Sequence, residues 1–572
     1  MTSSATKSNS SSTIAPPSPW YEETRRLTLQ LMAHASVTNT PGEVTCAASL
    51  RDVLAATPYF QAHPEHLRLE LIPNDSLGRA NVVALVRGKG SRTVVLAGHY
   101  DVVSTANYGE LEPWAFTPDL LLPRLLDDLR AHGRSEGDLR ALRDLESGLF
   151  LPGRGALDMK SGLAAGIAVL GRFAAEAESG DGVAGNLLFV ATPDEEDRSC
   201  GMRHAAVRLP ALAVEWSLSL EAAINLDSSG DLTDGTQGQV LYLGSVGKLL
   251  VSVFVAGRDT HAGYPFDGIN ANYLVAQVTT ALECNADLAD FAEGEAAPPP
   301  TSLKQGDLKV GYDVTTPAAA WACYNFLTHR VASDVVLRRV GDLVRDALVK
   351  GIAHLAVQGE RYAERQGRRS SFTASEPLVI TFQELRAMVL EQGGDEARRA
   401  LADLCDRLAR QEGIDLPHFS RIVTEHLWRA SGLTGPAAVV GFASLPYPSV
   451  HLDGADAREA AVRAMLEDEL ARAAGDLGVT LGVREFFQGI SDMSFLGRAD
   501  RSELAFIAAN TPPWGSGIKW ELEGEATAGI PTVNLGPWGR DFHQRLERVH
   551  IAYTFGILPE LVARLSRRIL SP

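Results

Sequence analysis

The sequence predicts an α/β protein in which a three-layer domain with a mostly parallel sheet is interrupted by a second, inserted α+β domain. Three observations carry this. Apolar, β-branched runs alternate with helical stretches from about residue 20 to 240, the pattern of strands covered by helices on both faces. Near residue 240 the texture changes to long amphipathic strands and hairpins. From about residue 437 the first texture returns, so one domain is split around the other.

The elements follow in chain order. Residues 1–18, "MTSSATKSNSSSTIAPPS", are polar, carry no apolar stretch, and read as a disordered tail rather than a secretory signal. "PWYEETRRLTLQLMAHAS" is an amphipathic helix, followed by a second at about 43–57. "NVVALVRG" and "RTVVLAGHYDVV" read as buried strands. Residues 119–147 are charged and helical in pattern, a surface insertion. A helix at 160–177, the strand "GNLLFVATPDEE", a helix at about 200–209 and the strand "EWSLSLEA" complete the first part, residues 19–243.

The inserted domain spans 244–436. "QVLYLGSVGKLLVSVFVAG" gives strands, then comes a helix at about 268–290 and a break at "APPPTS". "SLKQGDLKVG" and "AAWACYNFLTH" read as a hairpin, followed by a helix at 333–356, the strand "EPLVITF" and a mostly helical extension over 383–432. This strand-helix-strand-strand-helix-strand order suits a small antiparallel sheet. Residues 437–572 return to the first domain with "AAVVGFASL", a helix at 456–475, "GISDMSFLG", "IPTVNLG" and a terminal helix.

Composition narrows the function. The 572 residues carry a net charge of −18, from 53 basic and 71 acidic side chains, with no basic footprint for nucleic acid. No run of about 20 apolar residues offers a membrane span. Five cysteines (Cys46, Cys200, Cys284, Cys323, Cys405) form no C-x-x-C pair, which fits a reducing, cytoplasmic compartment.

The chemistry sits at strand ends. His99 and Asp101, two apart, point to one face, as a metal ligand and its orienting carboxylate would. Asp158, in "GRGALDMKSG", stands at the mouth of an apolar helix, where a carboxylate needs a countercharge: Arg154, Lys160, the helix N-terminus or a metal ion. Glu195 and Glu196 end a buried strand, Glu221 interrupts another, and His543 follows a Gly/Pro turn. Each alone has an ordinary structural reading. Together, two histidines and several carboxylates at strand-end loops of one domain suit zinc, or cobalt or manganese. The S-x-x-K at Ser245–Lys248 lacks the companion motifs of a serine hydrolase.

"GHYDVV", "GRGALDMKSG", "PDEE", "THAGYPFDGINAN" and "GP…H…ERV" resemble the dizinc metallopeptidase family of carboxypeptidase G, aminoacylase and succinyl-diaminopimelate desuccinylase. The resemblance runs in order from about residue 35 to the C-terminus, apart from 119–147 and 383–435. "GSVGK" and "GISDMSF" are most similar to the arginine-utilisation-protein branch. The resemblance implies that the inserted domain is a lid of the dimerisation type. It implies two divalent metal ions: Asp158 bridging both, His99 and Glu221 completing one site, Glu196 and His543 the other. Asp227, six residues beyond Glu221, is the alternative ligand.

Asp101 would orient His99, Glu195 would be the general base, and the lid residue His261 would reach the active site of a partner in a homodimer. Asn270, Asp492 and Arg540 stand in substrate-binding contexts. The implied activity is hydrolysis of an amide bond in a small-molecule or short-peptide substrate. The alternative is a non-catalytic, metal-stabilised binding protein, whose sign would be a lost ligand or base.

Overall fold

The computed structural model describes residues 18–180, 182–230, 239–520 and 527–571. The predicted tail lies outside these residues except for Ser18, whose hydroxyl donates to the Gly556 carbonyl. The first part of the chain supplies β1 (Leu67–Leu71), β2 (Ala80–Arg87), β3 (Lys89–His99), β4 (Ala184–Thr192), β5 (Ser219–Asn225) and β6 (Val240–Tyr242). The lid supplies β7 (Gly247–Ala256), β8 (Thr301–Asp307), β9 (Ala319–Thr328), β10 (Leu378–Thr381) and β11 (Ala437–Phe442). The last part adds β12 (Gly482–Arg484) and β13 (Thr532–Asn534).

The larger sheet has eight strands in the order β1-β2-β4-β3-β5-β13-β6-β12. Its centre, β4, β3, β5 and β13, is parallel. The β1–β2, β2–β4 and β13–β6 pairs are antiparallel. Alternation along each strand divides its side chains between two cores. Val82, Ala84, Val94 and Leu96 face one layer, built on helices α1 (Tyr21–Met32), α2 (Lys160–Ala177), α3 (Ala457–Leu477) and α4 (Leu558–Leu570). Val83, Leu85, Val95 and Ala97 face the helix Cys200–Glu215 and the lid. A central strand buried on both faces reads as a continuous apolar run, which is what "VVLAGH" shows.

The lid sheet runs β8-β9-β7-β11-β10, antiparallel except for the edge pair β10–β11. Leu249, Val251 and Val253 pack with helices Ala271–Leu282 and Ser333–Arg365 on one side. Leu250 and Phe254 pack with the helical extension, Phe382–Ala409 and Leu416–Ser431, on the other.

Two boundaries differ from expectation. The strand Ala437–Phe442, read as the return to the first domain, is a central strand of the lid, paired with β7 from Val251↔Phe442 to Ala256↔Ala437. The chain crosses back only afterwards, where Tyr447 and Val450–His451 pair with Lys248 and Gly244–Ser245. Second, the helix read at about 200–209 runs to Glu215, so the next strand begins at Ser219 and ends at Asn225. That shift moves one predicted ligand. Among the described residues no helix is long and apolar enough to cross a membrane.

Candidate metal centre

The carboxyl ends of the parallel strands converge on one point. His99 ends β3, level with Thr192 at the end of β4. Asp227 follows β5 by two residues, and Glu195 and Glu196 follow β4 across a turn in which Asp194 adopts a positive φ of 68°. Asp158 precedes α2 at its N-terminus. His543 arrives on a loop between the strands Trp538–Arg540 and Arg548–His550, itself with φ of 62°.

Asp158 answers the question its sequence raises. It is 7% exposed, yet neither nearby cation meets it. Arg154 is ion-paired with the buried Glu547, and Lys160 donates its ammonium to the His34 carbonyl. Instead Asp158 Oδ1 lies 3.1 Å from His99 Nε2, and Oδ2 lies 3.1 Å from His543 Nε2. Burial pushes this carboxyl up, but the bonds to His543 and His99 outweigh it and hold it below the usual range.

Each histidine gathers a second carboxylate. Asp227 Oδ1 is 3.8 Å from His99 Nε2, and Glu196 Oε2 is 3.1 Å from His543 Nε2. Two donor groups thus share Asp158: His99–Asp158–Asp227 and Asp158–Glu196–His543, each with its donor atoms within 4.8 Å of one another.

The ring orientation of His99 decides what fits. Its Nδ1 lies 3.1 Å from the Asp101 carbonyl oxygen, which can only accept, so Nδ1 carries a proton. Nε2 faces oxygens of Asp158, Asp227 and Glu195, the last at 3.8 Å; burial pushes the pKa of this ring down, but Glu195, Asp101, Asp158 and Asp227 outweigh it and raise it well above the ordinary value. One imidazole nitrogen and three carboxylates facing one point need positive charge between them, either a proton on Nε2 or a metal ion in that proton's place. Glu196 Oε1 is also buried with no protein partner. The residues present fit a pair of divalent cations bridged by Asp158.

The remaining groups hold this arrangement. The Asp101 carboxylate is fully buried and accepts from Thr38 Oγ1 at 2.9 Å and from the backbone N–H groups of Glu195 and Glu196 at 3.1 and 3.3 Å. Burial above all pushes Glu195 well above the carboxylate range; Glu196, Asp227 and Asp492 add to this, against relief from His99. Asp492 accepts from Thr192 Oγ1 at 2.9 Å beside the centre, and burial lifts it to about 7. Asp227 accepts from Ser491 Oγ at 3.1 Å. Gly536 passes so close that a Cβ there would sit 1.9 Å from the Asp227 carbonyl oxygen.

Four expected residues lie elsewhere. Glu221 sits near the opposite end of β5, where it accepts from Ser219 Oγ and lies 3.6 Å from Arg92; Asp227 takes its place. Arg540 is ion-paired with Asp144 at 2.7 Å and packs on Phe150 and Trp538. Asn270 caps the helix Ala271–Leu282, its side chain accepting from Asn272 N. His261 is exposed on a lid loop beside Tyr264 and Thr315 and belongs to neither donor group.

Other residues were not singled out by sequence. Glu43 and Arg79 brace the Asp194 turn, with Arg79 Nη1 2.8 Å from Asp194 and Glu43 accepting from its N–H. Glu547 accepts from the N–H groups of Leu157 and Asp158. Lys248, read only as part of an S-x-x-K, places its ammonium 5.7 Å from the Tyr447 ring centroid, with no hydrogen bond or ion pair among the described residues. Burial depresses it, against the pull of Glu195 and Asp197. Ser245 Oγ is buried without a partner and makes no bond to Lys248.

A model of peptidase family M20/M25/M40 matches residues 95–513. The chain is 32% identical over 547 residues to the uncharacterized protein YqjN of Bacillus subtilis (strain 168), covering 95% of each. It is 30% identical over 554 residues to Protein RocB of the same organism, covering 96% of this chain and 95% of that one. Among solved structures it is similar to the M20 family metallo-carboxypeptidase Sso-CP2 from Sulfolobus solfataricus. There the TM-score is 0.50 at 12% identity, covering 96% of this chain and 100% of that one.

Proposed function

The chain belongs to peptidase family M20/M25/M40 and is a hydrolase of the metallopeptidase and amidohydrolase kind; from that premise we propose that it cleaves the amide bond of a peptide or N-acyl amino acid at a dinuclear metal centre, in the cytoplasm. The observation that supports this most directly is Asp158, buried, offering one oxygen to each histidine, with both local cations committed elsewhere. His99, Asp158 and Asp227 would hold one ion and Asp158, Glu196 and His543 the other. Zinc is the first candidate, cobalt or manganese the next. Such ions would lower the pKa of a water from about 15.7 toward 7 and polarise the scissile carbonyl.

The protein groups do the rest. Glu195, buried with its carboxylate 3.8 Å from His99 Nε2, takes the proton of the attacking water and returns it to the leaving amine. Asp101 fixes the tautomer of His99 through its carbonyl and holds the Glu195–Glu196 backbone through its carboxylate. Lys248 lies beside Tyr447 within the field of Glu195, and its ammonium is suited to the free carboxylate of an amino-acid substrate. His261 would serve the active site of a second copy docked through the lid. The five cysteines are free, which suits a reducing compartment.

The decisive experiment is Glu195→Gln, with hydrolysis of N-acyl amino acids and dipeptides measured beside metal content by mass spectrometry. Turnover should fall by about 10²–10⁴-fold while both ions stay bound. Undiminished turnover would remove Glu195 as the base. Lys248→Met should raise KM about tenfold or more for substrates with a free carboxylate and leave KM for their amidated analogues unchanged. Equal effects on both would remove the carboxylate role.

A further inference from the structure

A second set of metal-ligating side chains lies apart from the centre described above, in the turn that leads into edge strand β1. His63 follows the short helix Pro58–Ala62, and Pro64–His66 form a single 3₁₀ turn. Residues three apart eclipse in such a turn. The rings of His63 and His66 accordingly face each other at 5.4 Å, 20° from parallel. Glu65 Oε1 lies 3.7 Å from His63 Nδ1 and 3.7 Å from His66 Nε2. Both separations are too long for a hydrogen bond. All three donor atoms lie within 4.8 Å of one another.

We propose that His63, Glu65 and His66 form a third metal site, for a zinc-like transition ion, separate from the catalytic pair. Bonds of about 2.0–2.1 Å at tetrahedral angles place donor atoms about 3.3–3.4 Å apart. The turn needs a closure of a few tenths of an ångström to reach this for Glu65. The catalytic groups show the same spread, 3.1 to 3.8 Å between histidine nitrogen and carboxylate oxygen.

Tyr59 can support the tautomer that ligation through His66 Nε2 needs. His66 Nδ1 lies 3.1 Å from Tyr59 Oη, which already accepts the Arg87 N–H at 2.8 Å. An ion on Nε2 would leave the ring proton on Nδ1, where the second lone pair of the Tyr59 oxygen can accept it. Burial lowers the pKa of His66, against the pull of Glu65. His66 is 9% exposed and anchors the site, whereas the side chains of His63 and Glu65 are 43% and 61% exposed, so an ion can enter from solvent and keep a water. The ion would tie the helix Pro58–Ala62 to β1 at the open edge of the sheet.

The test is zinc stoichiometry of the full chain by equilibrium dialysis and mass spectrometry, comparing wild type with His63→Ala and with Glu65→Gln. Both substitutions are on the surface and outside the catalytic centre. Each variant should bind one zinc fewer per chain, lose a zinc-dependent rise in unfolding temperature, and keep wild-type turnover. Equal stoichiometry in wild type and both variants would overturn the site and leave the triad as a stacked histidine pair. An Asp158→Ala background separates this from the dinuclear reading. There the difference made by His63→Ala should persist after the catalytic ions are lost; its disappearance would show that the zinc belonged to the catalytic centre.

Discussion

The two halves of the candidate metal centre share Asp158 but are built differently. The His99–Asp227 half stands on strand ends. His99 is 1% exposed, its ring is oriented by the Asp101 carbonyl, and Asp227 is held by Ser491. The His543–Glu196 half stands on loops, and the His543 side chain is 43% exposed. What the second half lacks in burial it replaces with charge. Asn107 and Arg154 donate to the His543 carbonyl, Arg548 pairs with Asp541, and Arg545 pairs with Asp128. Asp144 accepts from both Arg540 and Arg548. Two of these partners, Asp128 and Asp144, lie in the inserted helices Pro118–His132 and Glu136–Glu146. A donor at a strand end is positioned by the sheet, whereas a donor on a loop needs a brace, and the insertion supplies Asp128 and Asp144 to it.

The largest effect tests what the halves share. Asp158→Ala should release both ions and lower turnover by at least about 10³-fold, with metal content by mass spectrometry as the check. Retention of one ion would mean that the halves assemble independently.

A smaller effect tests the difference. Asp144→Asn removes the charge that serves Arg540 and Arg548. It should weaken one ion by about 10–100-fold, read by competition with a chelator, and leave the other unchanged. Equal weakening of both would show that the brace serves the whole domain.

The smallest effect lies outside both halves and serves as their control. Asp290 in the lid accepts from the N–H groups of His329, Arg330 and Val331 at 2.7 to 2.8 Å. Burial pushes it up, but these three bonds prevail and lower its pKa. Because the folded value is the lower one, its stabilisation is complete above the unfolded pKa of about 3.9 and is lost as pH falls through the folded value. Asp290→Asn should therefore melt earlier than wild type at pH 7, and the two should converge below about pH 4. Both ions should stay bound at neutral pH. Metal loss in this variant would mean that lid stability, not the local brace, governs the centre.

The same contrast explains what could be read in advance. His99, Asp158 and the Glu195–Glu196 pair stand next to long apolar elements whose ends are visible in sequence. The inserted α+β lid and the mostly parallel sheet were legible for the same reason, since period and alternation are local. Asp227 was only an alternative to Glu221 because the helix before β5 runs six residues further than its apolar pattern suggests. The strand therefore starts later, and Glu221 falls at its beginning. Arg540 looked free for substrate because its partner lies in a helix hundreds of residues earlier, and an ion pair across such a distance leaves no local trace. Glu43, Arg79 and Glu547 were missed on the same ground. The strand Ala437–Phe442 was assigned to the wrong domain because a strand buried on both faces has the same texture in either sheet.

The paired crossings between the domains bear on how this chain can vary. The outgoing segment Gly244–Lys248 and the returning segment Tyr447–His451 form one antiparallel ribbon. Side chains alternate along such a ribbon, so a single-residue insertion or deletion in either crossing would turn Lys248 to the opposite face and re-aim the whole lid. Length changes between relatives should therefore collect in surface excursions such as the inserted helices and the helical extension. The two crossings should keep their lengths fixed across the lineage, even where their residues drift.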